Sequence, residues 1–196
     1  DHYMTKDQNC RAAIECMATK DYLGIFGEAR GPASITHATL EEIARRKVKD
    51  IGYEQEGFHW KKIRVDVHVH NQSADIAMGV DNKEEGAGDQ GIMFGYACRE
   101  TDSLMPAAIH FSHNILKSLA EARHSGALSK LGPDAKSQVA LEYRDGIPVR
   151  ATSIVVSTQH DESVTQKDVR EMVRPHVLDV LPEGWMCGEE DFYVNP

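Results

Sequence analysis

The sequence is short of basic charge and of cysteine, and it has no long apolar run. Its 22 Lys and Arg stand against 31 Asp and Glu, a formal net charge of −9. Broad electrostatic binding to nucleic acid or to an anionic membrane needs clustered Lys and Arg and is disfavoured. An anionic small molecule can still be met by a few local cations. Cys10, Cys16, Cys98 and Cys187 are scattered, with no Cys-x-x-Cys pair. That argues against a disulfide scaffold and predicts free thiols in a reducing compartment, the cytoplasm. No stretch approaches the roughly 18 apolar residues that mark a membrane-spanning helix. The opening DHYMTKDQN has the pattern of neither a signal peptide nor an initiator-methionine terminus, which predicts a chain that begins mid-protein.

What is present suits a globular fold. The 196 residues are 41% hydrophobic and 27% charged, enough for one large or two small domains. Ala12 to Cys16 and Tyr22 to Glu28 read as strands about a turn at Lys20 and Asp21, with Gly24 and Gly27 leaving room for something close. Thr39 with Glu42 makes a capping box for a helix that buries Leu40, Ile43, Ala44 and Val48, exposes Arg45, Arg46 and Lys49, and stops at Gly52. IRVDVHVH, from Ile63 to His70, alternates strictly and predicts a half-buried strand. Pro106 opens a helix that turns Ile109, Ile115, Leu116 and Leu119 inward and ends near Gly126. Val139, Leu141 and Tyr143 alternate in a strand, Asp145 and Gly146 form a hairpin turn, and Val149 to Thr158 returns. A last helix starts at the cap Thr165 and is kinked or interrupted by Pro175, before a strand in DFYVNP. The pattern predicts an α+β fold: two-layer units, repeated, of mostly antiparallel sheet with helices on one face.

Chemistry is harder to place from residues alone. Gly86, Gly88 and Gly91 satisfy Gly-x-Gly-x-x-Gly, but DNKEE precedes them instead of an apolar strand and no acidic ribose partner follows. A dinucleotide-binding turn is therefore disfavoured, and the glycines read as room for a ligand or for loop movement. His68 and His70 could be two ligands of a zinc hydrolase, or simply the polar face of a strand, which the alternation favours. Asp134, Lys136 and Gln138 follow a proline: either a surface turn, or a cation for phosphate beside an acid for a ribose or an amine. Ser157 to His160, STQH, either offers polar groups to a ligand or leaves the sheet. Glu15, Glu28 and Asp89 lie in short strands or near glycine, and exposure is the ordinary fate of such acids.

GAGDQGIMFGYACRETDSLMP, GPDAKSQV, VVSTQHDE and the terminal FYVNP, with GEA at Glu28 and NQS at Gln72 upstream, resemble the methionine adenosyltransferases (S-adenosylmethionine synthetases) in order and spacing over essentially the whole chain. The resemblance implies three similar α/β domains about a pseudo-threefold axis, of which residues 1–85 would be part of the first and 86–196 the central one. It implies homodimers with active sites at the interface, often paired into tetramers. It implies attack of methionine sulfur on C5′ of ATP, giving S-adenosylmethionine and a triphosphate that is hydrolysed to pyrophosphate and phosphate, with Mg2+ and K+ required. By the same likeness Glu28, Gln72 and Asp89 contact methionine, Asp134 and Lys136 contact ATP, Lys136 has the catalytic part, and Glu15 belongs to the potassium site. Residues 72–81 resemble a loop gating the site. The family's N-terminal His, Pro, Asp and Lys motif and its later glycine-rich motifs are not in this sequence, which predicts that these residues alone are catalytically incomplete. The rival expectation is a noncatalytic binding or assembly module of the same fold.

Overall fold

The computed structural model describes residues 1–71 and 91–196, and the chain divides into two compact units, Asp1–Met93 and Phe94–Pro196. The expected domain boundary at 85/86 lies outside the described residues.

In the first unit, β1 (Arg11–Thr19) and β2 (Tyr22–Arg30) form an antiparallel hairpin. Its turn takes Asp21 at φ 55, a left-handed conformation that Asp tolerates. Helix α2 (His37–Ile51) then crosses over, and β5 (Arg64–Asn71) returns parallel to β2. Parallel neighbours need such a crossover, and α2 supplies it. Leu40 and Val48 of α2 are buried with Leu23, Ile25, Ala29, Ile63 and Val69. The opposite face of the sheet carries no helix of this unit among the described residues. The short helix α1 (His2–Lys6) buries Tyr3 in the same core, and β3 (Glu54–Gln55) and β4 (Phe58–His59) make a minimal hairpin. Neither was legible as periodicity, since both are too short to show one.

The second unit repeats the logic. Helix α3 (Ala107–His124) precedes a long hairpin of β6 (Leu131–Arg144) and β7 (Ile147–His160). Asp145 and Gly146 turn it at φ 51 and 76, the two positive angles that a two-residue primed turn requires. Helix α4 (Gln166–Val180) crosses back to β8 (Phe192–Val194), which joins β7 parallel. Ala107, Phe111, Ile115 and Leu119 of α3 and Val169, Val173 and Val177 of α4 are buried with Ile154, Val156, Phe192 and Val194 of the sheet. The α+β architecture with helices on one face is as expected. Each three-stranded sheet is mixed, however, because its third strand arrives by a helical crossover.

Several local expectations are corrected. The box that starts α2 is Thr36 with Thr39: Thr39 N–H donates to Thr36 Oγ1 at 3.2 Å and Thr36 N–H to Thr39 Oγ1 at 3.3 Å. A hydroxyl stands where the usual Glu or Gln would signal the start. Arg45 is half-buried, bonding Glu41 and the Trp60 carbonyl. Ile109 is 41% exposed, and Phe111 takes the inward place. The alternation of Val139, Leu141 and Tyr143 is broken by register shifts at Ala140/Leu141 and Glu142/Tyr143. Tyr143 is half in solvent; its hydroxyl donates to Glu100, which also accepts from Ala107 N–H and so closes the start of α3. Burial, with Glu100 beside it, pushes the Tyr143 phenol up to about 12. Pro175 does not interrupt α4, which runs through it as one element. Pro175 is exposed, so water can satisfy the carbonyl that loses its N–H partner.

Beyond α4, Glu189 bonds both Arg170 and Arg174, and Arg170 lies over the Phe192 ring. Arg170 first, then Arg174, holds the Glu189 carboxyl below its ordinary pKa. A depressed carboxylate contributes stability above its unfolded pKa and loses it as pH falls through the folded value. The difference in urea midpoint between the wild type and Glu189→Gln should therefore shrink steadily on acidification. A difference that is constant from pH 7 to pH 3 would show that the charge has no part in the clamp.

Candidate functional site

The described candidate residues fall in both units, on open sheet faces. In the first unit, register sets Glu15 of β1 opposite Phe26 of β2 and Phe26 opposite His68 of β5. The next row on the same face is Ala13, Glu28 and His70. Phe26 and His68 stack, with ring centroids 5.4 Å apart and planes 4° from parallel. Glu15 is exposed and Glu28 half-buried. One row therefore offers a carboxylate beside a stacked aromatic pair, and the other a carboxylate beside a histidine.

Two glycines set this surface. A side chain on Gly24 would strike the Phe26 ring, and one on Gly27, at φ 139, would strike the Ala13 carbonyl. The room expected at these glycines is thus filled by the chain itself, and the close approach of β1 at Gly27 fixes where Glu28 leaves the sheet. At the far end of the face Asp66 takes a bidentate pair from Arg64, at 3.1 and 2.7 Å, which holds its carboxyl below the ordinary range.

In the second unit Asp134, Lys136 and Gln138 lie within β6 and are exposed, so the surface-turn alternative is removed. Lys136 sits opposite Ser157 and Gln138 opposite Val155, whereas the neighbouring Ser137 turns the other way and donates to the Ser112 carbonyl of α3 at 2.6 Å. Period-two alternation thus anchors the strand through Ser137 and leaves Lys136 unobstructed. STQH occupies the end of β7, where Asn195 accepts from Thr158 N–H and donates to its carbonyl. The side-chain amide imitates a further residue of β8.

Gln72, Asp89 and the gating segment 72–81 lie outside the described residues. Among the described residues, no three His, Cys, Asp or Glu side chains converge to hold a metal ion. His68 and His70 accordingly have no third ligand beside them among the described residues, as a zinc site would need. Glu15 presents an exposed carboxylate on β1. The residue that sequence reasoning passed over on these faces is Phe26, whose partner His68 stands 42 positions away in β5; only register brings them together.

The family model described as "S-adenosylmethionine synthetase, central domain" matches residues 84–196, and that of the N-terminal domain matches residues 1–74. The chain belongs to the S-adenosylmethionine synthetase family. Over 199 aligned residues it is 65% identical to the S-adenosylmethionine synthase of Rhodospirillum centenum, 64% to S-adenosylmethionine synthase 2 of Rhodospirillum rubrum and 62% to the enzyme of Paramagnetospirillum magneticum. In each case the alignment covers 100% of this chain and 51% of the relative. The chain spans about half the length of these curated relatives. Both synthetase domains it contains have the same internal plan, a hairpin, a crossover helix and a parallel third strand, and Glu15, Glu28, Asp134 and Lys136 lie on the sheet faces away from the helices.

Proposed function

We propose that this chain is the N-terminal and central part of a methionine adenosyltransferase. In this reading the methionine sulfur attacks C5′ of ATP, an S–C5′ bond forms as the C5′–O5′ bond breaks, and triphosphate leaves and is hydrolysed to pyrophosphate and phosphate. The observation that carries the reading is family membership over both domains, and the exposed Asp134 and Lys136 on β6 support it. The displacement needs no general base, because a thioether has no proton to lose. Alignment and fixed positive charge around the leaving group do most of the work. Lys136 gives that charge, Asp134 takes a hydrogen bond from the nucleotide, and Glu28, Gln72 and Asp89 hold methionine, Asp89 through its ammonium. Glu15 contributes to a potassium site. Mg2+, when bound, would neutralise polyphosphate charge; no group of three metal-ligating side chains is found among the described residues.

The open face of each sheet supports pairing with a second copy, and we assign the active form as a homodimer with interface sites, assembled into a dimer of dimers in the cytoplasm. The test is mass spectrometry of S-adenosylmethionine formed by the full-length protein from methionine and ATP with Mg2+ and K+. Product is expected. Binding of methionine and ATP by calorimetry without any product would favour the noncatalytic module.

A further inference from the structure

Strand β6 is irregular where the nucleotide-side pair begins. Leu131 pairs with His160 and Ala135 with Thr158, so Gly132, Pro133 and Asp134 together face a single residue of β7, Gln159. Such bulges re-aim side chains and recur beside active sites. Gln159 and Ser157 alternate with the buried Val156 and Thr158, so Gln159 leaves the sheet on the face that carries Lys136. Its carboxamide lies over Gly132: a Cβ placed there would come within 2.5 Å of Oε1 and 2.8 Å of Cγ. Oε1 is shut off from solvent and has no hydrogen-bond partner among the described residues. A buried carbonyl oxygen without a donor is costly, and native proteins keep few of them without a use.

We propose that Gln159 determines specificity in the nucleotide site, its Oε1 accepting a hydrogen bond from a ribose hydroxyl. The inference rests on reading Asp134 and Lys136 as nucleotide contacts. Phosphate oxygens can only accept, so the donors of ATP are its ribose hydroxyls and its base amine. Lys136 suits the phosphates. Beside it the bulge sets two acceptors, the Asp134 carboxylate and the Gln159 carbonyl, which match the two O–H donors of a vicinal diol. Adenine would instead turn acceptor ring nitrogens toward Asp134, a like-signed meeting. The terminal torsion of a glutamine is broad, so Oε1 can swing from Gly132 to the open face without moving the strand.

The test is calorimetric titration of the full-length protein, wild type and Gln159→Met, with ATP, 2′-deoxy-ATP, 3′-deoxy-ATP and the triphosphate of unsubstituted purine riboside. Wild type should bind ATP about tenfold tighter than at least one deoxy analogue, and Gln159→Met should bind the two alike through roughly tenfold weaker ATP binding. Uniform weakening toward all four ligands would make Gln159 a packing residue and overturn the proposal. So would loss of discrimination only against the analogue lacking the amine. Should Gln159→Met fail to fold, Gln159→Glu keeps the acceptor and must keep the ribose preference; its loss would equally overturn the proposal. Lys136→Ala separates the levels. If it weakens ATP binding while Gln159→Met retains the ribose preference, only this inference falls. If it leaves ATP binding intact, the nucleotide reading of β6 falls and takes the inference with it.

Discussion

Replacing Lys136 by Ala in the full-length protein should lower the rate of S-adenosylmethionine formation by about two to three orders of magnitude, the loss typical when one preorganised group facing developing charge is removed. The expectation follows from placement. Lys136 is exposed on β6, its neighbour Ser137 is tied to the Ser112 carbonyl, and Ser157 opposite is too small to cover it. An ammonium on a rigid strand needs little rearrangement to meet a leaving polyphosphate. Charge that builds on the leaving oxygen is greater in the transition state than in bound ATP, so the loss should fall mainly on kcat and less on KM. Lys136→Arg keeps the charge but moves it and replaces a point charge by a planar fork, so a partial rate is expected. Steady-state kinetics over a range of ATP and methionine concentrations reads both effects. A Lys136→Ala enzyme with near-normal kcat would remove this residue from the mechanism. Because the lysine is exposed, its loss should leave the melting temperature within a few degrees, which separates chemistry from folding.

The parts of the fold that were legible in the sequence are those whose signal is local. Strict alternation from Ile63 to His70 marked β5 because its core face, Val65, Val67 and Val69, lies against one layer of helix and the other face is open. Asp145-Gly146 marked the hairpin because few pairs accept two positive φ angles. Thr165 marked the start of α4 as a cap, and the structure adds Asp168 as its partner in a capping box. Where the same box was built from two threonines, at Thr36 and Thr39, the start was misplaced by three residues. The parallel third strands were not legible at all. Parallel pairing leaves no mark in a short strand such as Phe192–Val194, and a crossover helix looks like any other helix. The candidate site divides in the same way. Glu15, Glu28, Asp134 and Lys136 were nominated by motif and lie on open sheet faces, Glu28 half-buried and the other three exposed. The Phe26 and His68 stack and the Gln159 bulge depend on strand register, which separates partners by tens of residues and cannot be counted along one strand.

Phe192→Ala should destabilise the second unit by about 4 kcal/mol, within the range of 3–5 kcal/mol found when buried phenylalanines are truncated. Phe192 is 1% exposed and belongs to the cluster that holds α3, α4 and β7 together. Its strand is only three residues long, pairing with Ile154, Val155 and Val156 of β7 and extended only by the bonds of Asn195 to Val156 and Thr158, so side-chain burial, more than the ladder, is expected to keep β8 in place. The ring also lies under the Arg170 guanidinium, 4.6 Å from its centroid, and the Phe192 carbonyl accepts from the same group. Truncation therefore opens a cavity and removes a cation–π contact at once. In a unit of this size the melting temperature should fall by on the order of 15 °C or more. Tyr193→Ala is the matched control: the neighbouring ring points to the opposite face and is 42% exposed, so a loss of about 1 kcal/mol or less is expected. Chemical denaturation of both variants, followed by a probe in the second unit, decides the matter. If the two truncations cost the same, β8 is held by its backbone pairing and not by Phe192, and the account of how so short a strand persists is wrong. If Phe192→Ala costs about 4 kcal/mol and Tyr193→Ala little, the sheet face that carries Lys136 and Gln159 is held from behind, by a core that neither of those two residues enters.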